Sequence, residues 1–269
     1  MGEMAEDRIY AERRGKTDVY VGADLGLTLV AISDDRVGRF RLVRRGEVQS
    51  VGASEAAVVI GTDEDTYRAA SEDVESFEAL GFGPAVAVDA EGPIAAAPDG
   101  EVARYDGAEW RTLGAVGEPR AISGKWIAAG DGLYRLEDER LDHRGRAARD
   151  VTADPVPTAA TADGLYRFTD SEWDHEREGA FHAVAGGSER TLAVGEDGLI
   201  ERRDSEWVSR DPPTDERIVD VGYSRGIVAV TSAGTILVDP PAAKDGAAGW
   251  RSRSLGLSEV SELAVGPDR

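Results

Sequence analysis

One pentapeptide constrains this chain more than any other feature. Asp131-Gly132-Leu133-Tyr134-Arg135 recurs unchanged as Asp163-Gly164-Leu165-Tyr166-Arg167, 32 positions later. It returns loosely as Asp197-Gly198-Leu199-Ile200-Glu201 and as Asp99-Gly100-Glu101-Val102-Ala103. A period of about 20 to 50 residues marks a repeat architecture, in which each unit buries its apolar face only against its neighbours.

Each copy follows a short apolar run of strand character: Pro93 to Ala97, Trp126 to Ala129, Pro157 to Thr161 and Thr191 to Val194. With the Asp-Gly turn, these read as strand, tight turn, strand. A polar corner and a tryptophan come next, as in Asp106-Gly107-Ala108-Glu109-Trp110, Asp170-Ser171-Glu172-Trp173 and Asp204-Ser205-Glu206-Trp207. That supplies a third turn and a fourth strand. Between units lies a short strand anchored by one apolar residue: Val51, Val88, Ile122, Val151, Val184, Val221 and Leu263.

Seven anchors predict seven blades. The first repeat, from Asp18 to Leu27, has no anchor strand before it, and Glu259 to Val265 is an anchor strand with no blade after it. Joining them removes both exposed sheet edges. The chain therefore reads as all-β, a single seven-bladed β-propeller domain over 1–269, closed by its C-terminal strand joining the N-terminal blade. The predicted blades are 17–46 with 257–268, then 47–83, 84–117, 118–146, 147–179, 180–216 and 217–256. A solenoid of similar repeats is the structural rival, but solenoids end in polar caps, whereas these ends are complementary. Arg8 to Ala11 is a candidate extra outer strand. On the first blade, Arg36, Arg39, Arg41, Arg44 and Arg45 read as charges guarding an outer edge.

Composition narrows the chemistry. Cysteine is absent, which removes disulfides, thiolate nucleophiles and cysteine-built metal sites. No apolar run reaches membrane-spanning length and no signal peptide is written at the start, so the expected location is cytoplasmic. The chain carries 52 Asp and Glu against 31 Lys and Arg, a net charge of −21. Such a surface repels nucleic acid and anionic membranes. Lysine is confined to Lys16, Lys125 and Lys244.

The repeat of anchor strand, apolar strand, Asp-Gly-Leu-Tyr-Arg, polar corner and Trp resembles the short-repeat propellers of sensor and extracellular ligand-binding proteins. Joined with the acidic, arginine-rich composition, it looks like a haloarchaeal β-propeller family. That resemblance covers nearly the whole chain and implies a fold and a saline habitat, without an activity. The tryptophan rows of quinoproteins, the Asp boxes of sialidase-like propellers and the spacing of WD repeats are missing.

Gly222-Tyr223-Ser224-Arg225-Gly226 matches a G-x-S-x-G elbow, which needs a helix after the serine. Ile227 to Val230 is a strand, so Ser224 reads as a turn residue. His143, His175 and His182 fall in three different strand contexts with no metal-ligand spacing. Asp63-Glu64-Asp65 lacks a calcium loop's alternating ligands and reads as a solvated turn. Trp110, Trp173, Trp207 and Trp250 share one repeat position, as inter-blade packing residues do. Neither a cofactor nor a metal site is expected.

Two polar rows remain. Asp150, Asp220 and Glu262 each stand immediately before an anchor and can ring one level of the central channel, where close carboxylates raise one another's proton affinity. Gln49, Arg120, Arg149 and His182 stand one position earlier, and arginines there can grip a carboxylate or phosphate. Arg120, Arg149, Asp150, His182, Asp220 and Glu262 form the one plausible ligand-binding constellation, and no catalytic residue stands out. The leading expectation is a monomeric, non-catalytic binding or scaffold propeller that holds a protein partner with loops such as Asp211 to Glu216 and Pro240 to Gly249. The alternative is a small-ligand sensor or enzyme at the channel mouth. A purely structural propeller is a third reading.

Overall fold

The computed structural model describes residues 15–33, 36–187, 190–240 and 249–268. The stretch from Arg8 to Ala11 and most of that from Pro240 to Gly249 lie outside these residues. Among the described residues there are seven four-stranded antiparallel sheets and no helix.

Six blades each use four consecutive strands, and the first blade is composite. Its innermost strand, Val260–Asp268, pairs with Lys16–Ala23. Val19 lies opposite Val265 and Val21 opposite Leu263. The ring is thus closed by its own C-terminal strand, as the complementary ends predict. Val19, Val21, Val230, Ile236 and Leu263 share one apolar cluster, which welds the seventh blade to the first.

The second strand of each blade is the most buried. Ala57–Thr62 and Ile227–Thr231 have every residue buried. A strand covered on both faces by neighbouring blades must be apolar on both, and Val-Val-Ile and Ile-Val-Ala-Val supply that. Outermost strands such as Asp73–Ala79 bury only Val74, in keeping with solvent on their far side.

The polar corners explain the recurring Asp-Ser pairs. Asp170 and Ser171, and Asp204 and Ser205, both take positive φ, as do Asp138 and Glu139. Two consecutive left-handed residues make the tight hairpin turn that matches strand twist, and Asp tolerates that region.

Trp110 packs on Phe82, with centroids 4.7 Å apart, and donates its indole N–H to the Leu80 carbonyl of the preceding blade. Trp173 packs edge-on against Trp126 of the preceding blade at 5.0 Å. These tryptophans are inter-blade packing. The arginine-rich outer strand Arg36–Arg45 also ties blades together: Arg41 pairs with Glu75 at 2.5 Å, and the Arg44 guanidinium lies 3.6 Å from the Tyr67 ring centroid. From the other side, Arg253 reaches the Gly38 carbonyl at 2.5 Å.

One sequence expectation is corrected. His143 and His175 do not lie in unrelated contexts but share one repeat position, opposite Tyr134 and Tyr166 in their hairpins. Their rings sit 5.1 and 5.0 Å from those tyrosines. The imidazoles cover Gly132 and Gly164, where a Cβ would approach Nε2 to 2.3 and 2.7 Å. The glycines of the two identical pentapeptides are therefore matched to histidines.

Candidate functional site

The innermost strand of each blade has one edge unpaired within its own sheet, so N–H and C=O groups on that edge need partners from outside the sheet. Side chains of the preceding blade supply them. Glu262 of the first blade accepts the Val51 N–H at 2.7 Å. Ser50 Oγ accepts Val88 N–H at 3.1 Å, Asp89 accepts Gly124 N–H at 2.9 Å, and Ser123 Oγ accepts Ala153 N–H at 3.0 Å. Asp150 accepts Val184 N–H at 2.7 Å, and Asp220 accepts Leu263 N–H at 2.8 Å.

The junction between the sixth and seventh blades reverses the polarity. His182 Nε2 lies 2.9 Å from the Ile218 carbonyl oxygen. A carbonyl only accepts, so the Nε2–H tautomer is fixed there. All seven junctions around the axis are thus crossed by a side-chain to backbone bond. A second row runs in register with His182: Ser261 donates to the Val48 carbonyl at 2.6 Å, Arg120 to that of Ala148 at 3.1 Å, and Arg149 to that of Phe181 at 3.3 Å.

Asp150, Asp220 and Glu262 do line one recess at the axis, of about 300 Å³, together with Ser123 and Tyr223. Burial, reinforced by the Asp220 charge, pushes the carboxyls of Asp150 and Glu262 up to about 8. Burial alone raises that of Asp220 to about 6. A protonated carboxyl still accepts an N–H through its carbonyl oxygen, so the tie survives neutralisation. Among the described residues, no group of three or more Asp, Glu or His side chains is arranged to hold a metal ion.

Arg149 and His182 face a different space. They line a cleft of about 670 Å³ between the sixth and seventh blades, with Arg210 and Arg217. Its wall includes Asp211, Pro212, Thr214 and Glu216 of the long connection between those blades, and its floor includes the apolar Val194, Leu199 and Ile218. Burial, then the charges of Arg217 and Arg149, hold the His182 ring below its ordinary pKa, so it is neutral at physiological pH.

The six residues singled out in the sequence are therefore not one constellation. Asp150, Asp220 and Glu262 meet at the axis, Arg149 and His182 meet in the cleft, and Arg120 is bound to Glu118 and the Ala148 carbonyl. Two arginines between Arg120 and Arg149 are neutralised locally: Arg144 pairs with Glu137 and Asp142, and Arg146 with Asp163. Sequence reasoning missed Ser50, Ser123, Asp89, Ser261 and Arg217. The signal for two of them was present, since Ser50 holds the same register as Asp150, one before an anchor, and Ser261 the same register as His182, two before one.

Blades of four antiparallel strands, seven in a ring and closed through the termini, define a seven-bladed β-propeller. Within that class the chain belongs to the HVO_0234-like β-propeller family, which matches residues 3–266. No curated protein matches it. Among solved structures it is similar to the computationally designed Ika8 protein, at 15% identity and a TM-score of 0.61, covering 93% of this chain and 90% of that one. It is likewise similar to apo AztD from Citrobacter koseri, at 10% identity and 0.60, covering 93% and 98%. The Neurospora crassa Pan2 WD40 domain follows at 9% identity and 0.57, covering 81% and 78%. At these identities the likeness concerns the fold.

Proposed function

We propose that the chain is a non-catalytic binding propeller that engages a protein partner at the cleft between its sixth and seventh blades. The observation that carries this reading is a division of labour among polar groups. The channel carboxylates are engaged in holding blades together, whereas Arg149 and Arg217 have no carboxylate partner among the described residues and face a cleft of about 670 Å³. The Asp211 to Glu216 connection exceeds what a hairpin needs, and extra loop length on a rigid scaffold commonly serves recognition. The acidic composition supports a saline cytoplasm as the setting, where salt screens self-repulsion. No helix among the described residues is long and apolar enough to cross a membrane.

A small-ligand sensor is the second reading, favoured by the cleft volume of about 670 Å³, which lies in the range of small-molecule sites. The test is affinity capture of the tagged protein from its native lysate in molar potassium chloride, beside Arg217→Glu and Asp220→Asn. A partner captured by the wild type and Asp220→Asn but lost with Arg217→Glu supports the reading. The same proteins captured by all three, or none by the wild type, contradict it.

A further inference from the structure

We infer that the cleft between the sixth and seventh blades is a carboxylate-recognition site, in which Arg149 and Arg217 bind a single carboxylate whose apolar body rests on Val194, Leu199 and Ile218. The inference deepens the binding reading above by naming the group recognised, and rests on it.

Three observations converge. First, the cleft brings three arginines together beside the carboxylates of Glu196, Asp197, Asp211 and Glu216. Arg149, Arg210 and Arg217 all line it. Arg210 is neutralised by Asp239 and by fully buried Glu201, but neither Arg149 nor Arg217 makes an ion pair among the described residues. Several arginines elsewhere are paired, as Arg104 is with Glu139 and Arg111 with Asp106.

Second, the two unpaired arginines line the same cleft. Both stand near His182, and their charges are among the causes that depress its protonation. The neutral imidazole is spent on the Ile218 carbonyl, so it holds the wall of the cleft and leaves the two arginines as its cationic donors. Arg149 keeps most of its fork available, because its side chain makes one bond among the described residues, from Nη1 to the Phe181 carbonyl at 3.3 Å. A guanidinium fork matches a carboxylate's two oxygens.

Third, the remaining lining sets the ligand class. Glu196, Asp197, Asp211 and Glu216 stand around the same cleft. They disfavour a dianionic phosphate more than a monoanion, because repulsion scales with the ligand's charge. Pro212, with the edges of buried Val194, Leu199 and Ile218, offers a surface to an aliphatic body of a few carbons. The fitting ligand is a monocarboxylate with a short aliphatic body. A protein's C-terminal apolar residue and a free organic acid share that chemistry.

The experiment is an NMR titration of the full chain, in potassium chloride held constant, with N-acetylleucine, N-acetylleucinamide, hexanoate and inorganic phosphate. Saturable shifts at 195–198 and 211–218 with N-acetylleucine, absent with the amide and weaker by tenfold or more with phosphate, are expected. Stronger binding of N-acetylleucine than of hexanoate points to a polypeptide terminus, and the reverse to a free acid. Arg217→Gln, and separately Arg149→Gln, should each weaken binding at least tenfold, with Arg217→Gln keeping the wild-type melting temperature because that side chain makes no hydrogen bond or ion pair among the described residues. Equal response to acid and amide, phosphate binding as strong as carboxylate, or no saturable shift overturns the carboxylate assignment. In that event the capture experiment still decides the broader binding reading, since Arg217→Glu reports on any partner seated at this cleft.

Discussion

Glu262, on the final strand, accepts the backbone N–H of Val51 at 2.7 Å across 211 positions of sequence. That bond fastens the composite first blade to the second, beside the strand that closes the ring. Replacing Glu262 by Ala removes the acceptor and leaves a part-buried N–H unsatisfied, at a cost of about 1–3 kcal/mol. Gln retains an acceptor oxygen. Calorimetry at pH 6 should show a lower melting temperature for Glu262→Ala than for Glu262→Gln; equal values would mean that water replaces the bond.

The raised carboxyls give stability a defined pH dependence. Asp150 and Glu262 at about 8 and Asp220 at about 6 lie above their unfolded values. Between those limits the folded protein holds protons that the unfolded chain has released, so stability falls as pH rises through the window. The melting temperature should drop by roughly 3 °C or more from pH 5 to pH 8. Asp150→Asn with Asp220→Asn and Glu262→Gln should flatten that slope.

Acid reverses the trend through other groups. Burial pushes up the carboxyls of Glu176 and Glu201, but bonds from Arg202 and Arg167, and from Tyr223 and Arg203, outweigh it and hold both below the ordinary range. Their contribution is present above the unfolded pKa and is lost as pH falls through the folded one. Glu201 is 0% exposed, so Glu201→Ala, which strands its arginines and Tyr223, should cost about 3 kcal/mol at pH 7. Urea unfolding measures it.

Two glycines in turns separate backbone strain from crowding. Gly100 and Gly107 have φ of 101° and 102°, but a Cβ on Gly100 would meet the Val116 carbonyl oxygen at 2.2 Å, whereas Gly107 faces open space. Gly107→Ala should cost about 1 kcal/mol and Gly100→Ala clearly more. Matched thermal melts of the two variants check the order.

Surface charge adds a salt dependence. With a net charge of −21, desalting should lower the melting temperature as unscreened carboxylates repel. A melting temperature independent of potassium chloride contradicts the saline adaptation.

The fold was legible because a propeller writes its period into the chain. Two identical pentapeptides set the repeat, and Val19 and Leu263 belong to three strands and one strand of a blade that neither end completes alone. The site was only partly legible. Register placed Asp150, Asp220 and Glu262 at one level of the channel, but register does not say which neighbour a side chain serves, and the backbone edge of the following blade engages all three. The pairing of His143 with Gly132 depends on a hairpin contact that spacing alone hides. Arg217 escaped notice because its setting arises from the cleft around it and from no motif.

The proposed division of labour has channel residues holding the ring together and the cleft between the sixth and seventh blades binding. One measurement tests it: the N-acetylleucine titration carried out in parallel on the wild type, Asp220→Asn and Arg217→Gln, with the melting temperature of each recorded. Wild-type binding with an altered melting temperature is expected for Asp220→Asn, and lost binding with an unaltered melting temperature for Arg217→Gln. Binding abolished by Asp220→Asn, or retained in Arg217→Gln, would overturn that division.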